Sequence, residues 1–139
     1  DFDQRWHYDG LVMDKWFSLQ ATSSAEDVLD HVKSLLTHRT FSLNNPNRVR
    51  ALIGAFTSNN PAAFHAADGS GYAFLVEMLT ELNTRNPQVA SQMIEPLIRL
   101  KRYDVPRQRL MRAALEQLKA LKNLSGDLFE KISKALADA

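Results

Sequence analysis

The chain has 139 residues, a net charge of +1, 45% hydrophobic and 24% charged residues, and no cysteine. A chain of this length fits one domain and can bury about two-thirds of its unfolded surface without staples. The lack of cysteine excludes disulfides, thiolate zinc fingers, iron–sulfur clusters and cysteine nucleophiles. No apolar run reaches the ~18 residues of a membrane helix, and the charge balance gives no reason to expect nucleic acid or a membrane surface as partner.

The opening DFDQRWHYDG is polar and lacks an apolar h-region, so no signal peptide is expected. It carries no helix cap and starts abruptly, as a segment cut from a longer chain would. Trp6, Tyr8, Trp16 and Phe17 crowd this end. They read as core, or as a patch that docks on a partner domain. A first helix is expected over about residues 11–19. Ser23 and Glu26 have capping-box spacing and precede the stripe Val28, Leu29, Val32, Leu35 and Leu36.

Three Asn-Pro pairs follow: Asn45-Pro46, Asn60-Pro61 and Asn86-Pro87. Asn is a good N-cap and Pro suits the first helical position, where its missing N–H costs nothing. Each pair predicts a helix start. The first introduces Val49, Leu52, Ile53 and Phe56, and the second a short helix over residues 61–66. The loop Asp68-Gly69-Ser70-Gly71 then reads as a stop with glycines at left-handed positions, before the stripe Tyr72, Leu75, Val76, Leu79 and Leu82. The third pair introduces Val89, Met93, Ile94, Leu97 and Leu100, with Pro96 expected to bend that helix. Asp104 and Ser125 are further candidate caps, before Leu110, Met111, Ala114, Leu115, Leu118 and Leu121, and before Leu128, Ile132 and Leu136.

The apolar spacing is helical throughout and never strictly alternates. The expected fold is all-α: one domain over residues 1–139, a solenoid-like superhelix of about seven to eight antiparallel helices stacked as hairpins. No side-chain consensus repeats, so the spacing alone names no repeat family.

Chemistry is sparse. The histidines are His7, His31, His38 and His65, and none opens H-E-x-x-H. His31 and His38 are two helical turns apart, about 10 Å, too far to share a zinc ion bound at ~2 Å. Ordinary histidines and no metal site are expected. Glu77 and Glu81, at i and i+4, read as a solvated face rather than an acid–base pair. The G-S-G around Ser70 lacks the preceding strand and the spacing of a nucleophile elbow or a dinucleotide loop. Arg99, Lys101, Arg102, Arg107, Arg109 and Arg112 place six cations in fourteen residues against one acid, Asp104. The first three suit the negative end of a helix dipole. A phosphate-binding face or a protein contact are the other readings.

Long strings carry a resemblance. NNPNRVRALIGAF, NPAAFHAADGSGYAFLVEML, NPQVASQMIEPLIRLKRYD and LSGDLFEKISKALA closely resemble the C-terminal domain of the bacterial aminopeptidase N family, zinc aminopeptidases of the gluzincin type. The resemblance spans about residues 12–137. It implies an all-helical superhelix and a cytoplasmic parent enzyme that removes N-terminal amino acids from peptides. The family's zinc motif, third-ligand glutamate and G-x-M-E-N motif have no counterpart here, so no catalytic or metal residue is assigned. The zinc belongs to a catalytic domain of the parent, and this chain alone is expected to be inactive.

What the resemblance implies instead is a domain that closes over the catalytic domain, caps its chamber and restricts substrate access. Its partners are then the other domains of the same polypeptide and the parent's peptide substrates. The helix opened by Asn86-Pro87 matches a chamber-facing segment, which makes Gln88 and Gln92 candidate rim residues. Position 92 is arginine in close relatives, and Gln92 can hydrogen-bond a peptide but cannot pair with a carboxylate. The plain alternative is that both are exposed polar residues of the first two turns. A different class, a free-standing helical-repeat scaffold for a protein or RNA, predicts polar capping helices and a long concave groove.

Overall fold

The structure is a computed structural model that describes residues 10–138. Trp6, His7, Tyr8 and the abrupt DFDQRW start lie outside the described residues. Every regular element among the described residues is helical. The chain divides into two compact units between Ala63 and Phe64.

The first unit contains α1 (Gly10–Ala21), α2 (Val28–Leu35), α3 (Pro46–Val49), a π-helical turn (Arg50–Gly54) and α4 (Ala55–Asn59). The last three share helical backbone at every junction and run on as one rod. Its expected stripe, Val49, Leu52, Ile53 and Phe56, is fully buried. Met13, Phe17 and Ala21 of α1 are buried too, and α1 packs on the π-helical turn and on α2. The pair Trp16–Phe17 splits: Phe17 is core, whereas Trp16 is half-buried and meets Phe17 edge-on at 5.1 Å.

Among the described residues of that unit, one charged group is buried. Arg48 donates to the Asp14 carboxylate through Nη1, to the Thr40 carbonyl at 3.0 Å and to the Gly10 carbonyl at 3.1 Å. Its guanidinium also lies 5.9 Å from the Phe17 ring centre. A guanidinium is the one cation with enough fixed donors to satisfy three such acceptors.

The two units are linked in sequence through α5 (Pro61–Phe64). The second unit then contains α6 (Ser70–Arg85), α7 (Pro87–Met93), α8 (Glu95–Ile98), a 3-10 turn (Leu100–Arg102), α9 (Val105–Lys119) and α10 (Gly126–Asp138). Here α6 packs on α7 and on α9, and α10 packs on α9 and α7. Val89, Met93, Ile94, Leu97 and Leu100 are buried as the spacing predicts. Phe74 and Met78 are buried as well, because α6 is covered from two sides and its apolar stripe is wider than one contact face requires.

The caps divide into two groups. Asn45 Oδ1 accepts from Asn47 N and Arg48 N, Asn86 Oδ1 from Val89 N, and Ser125 Oγ from Leu128 N, as predicted. Ser23, Asn60 and Asp104 do not cap through their side chains. Ser23 Oγ accepts from Ala25 N in a local turn, and α2 starts five residues later. Asn60 is buried and donates to the carbonyls of Ala21 and Ser23 at 2.9 and 3.1 Å. The Asp104 carboxylate instead pairs with Arg107 at 3.0 Å.

Two backbone expectations change. Pro96 does not bend one helix; it separates two, with α7 ending at Met93 and Pro96 in the first turn of α8, where its missing N–H is harmless. Among the described residues only Gly69 is left-handed, at φ 78°. Gly71 is an ordinary helical residue that must lack a Cβ, since one would stand 2.2 Å from the Phe64 carbonyl oxygen.

Candidate functional site

Helix α7 carries the two candidate rim residues. Its seven residues start at Pro87, behind the Asn86 cap. At 100° per residue, Val89, Ala90 and Met93 fall on the sides away from Gln88, and all three are buried. Gln88 and Gln92 lie 40° apart on one exposed face, one turn from each other. Two primary amides spaced by a turn present donors and acceptors suited to the main chain of an extended peptide.

The flank of that face is held by α10. Ser91 is buried, and its hydroxyl donates to Asp127 Oδ2 at 2.7 Å. Lys131 Nζ donates to the Ser91 carbonyl at 2.8 Å and lies 3.2 Å from Glu95 Oε2. None of Ser91, Asp127 and Lys131 stands out in the sequence: the apolar pattern places α7 and α10 but not the polar contacts between them.

A second polar cluster lies in the same unit. His65 is buried, with Nδ1 2.6 Å from the Tyr72 hydroxyl and its ring stacked on Tyr103 at 4.1 Å. Arg107 Nε donates to the His65 carbonyl at 2.7 Å. Burial, with the Arg107 charge second, lowers the pKa of His65. Burial pushes Tyr72 up to about 12. Both groups are therefore neutral at physiological pH, and the Arg107 guanidinium, held on the His65 carbonyl, is the charge beside them in this packed joint.

The other sequence candidates are dispersed. His31 Nε2 meets Gln20 Oε1 at 2.8 Å, and His38 Nδ1 accepts from Thr40 N at 3.1 Å. Among the described residues, no group of three or more His, Asp or Glu side chains converges to hold a metal ion. Glu77 and Glu81 are exposed, and Glu81 lies 3.7 Å from Arg85. Asp68 Oδ1 accepts from Ser70 N at 2.9 Å, which makes the Ser70 loop an Asx turn. Arg107 is spent on His65 and Asp104. Arg99, Lys101 and Arg102 line an open cavity of about 210 Å³ with Ile98, Leu100, Ala135 and Asp138. Those three follow α8, where cations offset its C-terminal carbonyls. No described helix is long and apolar enough to cross a membrane.

Among the described residues every regular element is helical, which defines the chain as an all-α domain of the helical-repeat class. Residues 1–137 match the family described as "Domain of unknown function (DUF3458_C) ARM repeats", and the chain belongs to that family. It is 72% identical over 137 residues to aminopeptidase N of Escherichia coli (strain K12), covering 99% of this chain and 16% of that protein. Aminopeptidase N of Haemophilus influenzae is 57% identical over 136 residues, covering 98% of this chain and again 16% of the relative. A crystal structure of Legionella pneumophila aminopeptidase A in complex with aspartic acid superposes with a TM-score of 0.93 at 34% identity, over 100% of this chain and 16% of that one. The chain thus spans about a sixth of the length of the relatives it matches and corresponds to the C-terminal domain of aminopeptidase N homologues.

Proposed function

We propose that this chain is the non-catalytic C-terminal domain of a cytoplasmic, zinc-dependent aminopeptidase N. In this reading it caps the active-site chamber and restricts which peptides reach the zinc of a separate catalytic domain. A zinc ion held by that catalytic domain would supply the Lewis-acid chemistry; the present chain would supply walls and hydrogen-bonding groups, and would have no peptidase activity alone. One observation carries the reading: near-complete coverage of this chain by aminopeptidase N relatives six times its length. The exposed Gln88/Gln92 face supports it, because a chamber wall must offer polar groups to a peptide backbone without reacting with it.

The rim role is tested with Gln88→Ala and Gln92→Ala in the whole polypeptide, assayed on dipeptides and longer peptides. Loss of one neutral hydrogen bond costs about 0.5–1.5 kcal/mol. Far from the reacting carbonyl, that loss raises KM and spares kcat. An unchanged KM at every peptide length, with the fold intact, makes both glutamines plain surface residues. The expectation that the chain alone has no peptidase activity is tested separately, by aminoacyl-reporter hydrolysis with the isolated chain. Turnover that survives chelation and repurification overturns it.

A further inference from the structure

We infer that Asp127 and Lys131 of α10 are positioning residues that set the direction in which α7 presents Gln88 and Gln92. The inference rests on the reading of that face as a substrate rim. Its basis is a clasp on one residue. Ser91 stands three positions after Gln88 and directly before Gln92. Its hydroxyl is held by Asp127 at 2.7 Å and its carbonyl by Lys131 at 2.8 Å. Asp127 and Lys131 are i and i+4, so one face of α10 presents both.

Helix α7 needs such a clasp. It has seven residues, too few to be stable by itself, and it stops at Met93 ahead of Pro96. Ser91 lies in its last turn, where carbonyls lack helical partners. The Lys131 ammonium fills that vacancy, adds a cation at the negative end of the helix and reaches Glu95 at 3.2 Å, across the break into α8. The apolar contacts of Val89, Ala90 and Met93 hold α7 down but are non-directional. The two polar bonds fix its rotation about its own axis. A rotation that moves the Gln88 and Gln92 amides by about 1 Å is enough to lose a peptide hydrogen bond.

The test uses Ser91→Ala and Lys131→Met in the whole polypeptide, each alone and combined with Gln88→Ala/Gln92→Ala. Hydrolysis of tri- and tetra-alanine gives KM and kcat, and thermal melts report the fold. Lys131 is about one-third exposed and leaves the Ser91 hydroxyl bond in place, so Lys131→Met keeps the fold. Each clasp variant should raise KM roughly two- to tenfold with kcat little changed. Neither should raise it further once both glutamines are gone, because the clasp acts through them. If the glutamine variants raise KM but the clasp variants do not, or add to them independently, α10 does not position the rim. If the glutamine variants leave KM unchanged, the rim reading itself falls, and the positioning role with it.

Discussion

The Tyr72 hydroxyl donates to Nδ1 of His65 across 2.6 Å, in the closest side-chain contact of the buried polar cluster in the second unit. The direction follows from two facts. Tyr72 is 1% exposed, with its pKa raised to about 12, so it keeps its proton. Its oxygen has no other partner among the described residues, so the phenol hydrogen goes to His65 and the ring proton sits on Nε2. A neutral His65 is what the joint requires.

That joint makes stability depend on pH. The folded pKa of His65 lies below its ordinary value, so near pH 6 the unfolded chain binds more protons than the folded one. The contribution of His65 is therefore complete above about pH 6.5 and is lost as pH falls from there towards the lowered folded pKa. One proton limits the slope to about 1.4 kcal/mol per pH unit. Urea midpoints of the native chain and of His65→Gln between pH 5 and 7.5 measure it. The native chain should show the steeper loss on acidification, and parallel curves would remove His65 from the account.

Arg48 anchors the first unit by geometry as much as by charge. Its forked donors reach one carboxylate and two carbonyls on different segments. Arg48→Lys keeps the charge but offers a point donor that cannot serve all three. We expect a loss of about 1–3 kcal/mol, from acceptors left unpaired in a buried site. Arg48→Met should cost more, since it also strands the Asp14 carboxylate. Denaturant melts give both values, and a neutral Arg48→Lys would reduce the site to a plain ion pair.

Helix positions and buried faces were readable because they depend on local rules: Asn45-Pro46 and Asn86-Pro87 start helices, and Leu52, Phe56, Leu75 and Leu97 lie inside. Long-range polar contacts were not. Asn60 has the sequence context of a cap, yet its amide ties down the C-terminal end of α1 through the carbonyls of Ala21 and Ser23. Burial makes those carbonyls costly to leave unpaired, and that demand arises only after the helices pack. The Ser91 clasp and the His65–Tyr72 pair escaped the sequence for the same reason. The π-helical turn at Arg50–Gly54 likewise has no local signature that we can identify.

Gly71 and Gly126 lie in the first turns of α6 and α10 in similar sequence contexts, Ser-Gly-Tyr and Ser-Gly-Asp, but they should respond oppositely to substitution. A Cβ at Gly71 would meet the Phe64 backbone at 2.2 Å, whereas at Gly126 it meets nothing within 4 Å. Backbone cannot yield as a side-chain tip can. Gly71→Ala should lose about 3 kcal/mol, at the upper end of ordinary overpacking. Gly126→Ala should gain about 0.4–1 kcal/mol by restricting the unfolded chain. Thermal melts of the two single variants decide it, and a stable Gly71→Ala would mean that α5 and α6 can separate at no cost.

Asn83 is the last test, and it separates an amide from its acid. The side chain is buried in α6, donates through Nδ2 to the Asn123 carbonyl at 2.8 Å and accepts through Oδ1 from Ser125 N at 2.9 Å. One planar group thus ties down the loop between α9 and α10 and holds Ser125, the residue that caps α10. Asn83→Asp preserves shape and the accepting oxygen but replaces the donor with a second carboxylate oxygen, turned towards a carbonyl. At pH 7 this should cost about 2–3 kcal/mol. Burial and the facing carbonyl both disfavour the anion, so the new carboxyl should have a folded pKa above its unfolded value. The folded state then holds its proton longer. The variant's deficit should shrink as pH falls through that raised pKa, because the protonated acid can again donate to Asn123. Urea midpoints of Asn83→Asp and of the native chain, differenced at pH 7 and at pH 4.5, read this directly. A deficit of equal size at both pH values would show that the Asn123 contact does not depend on a donated hydrogen, and that Asn83 holds the loop through Ser125 alone.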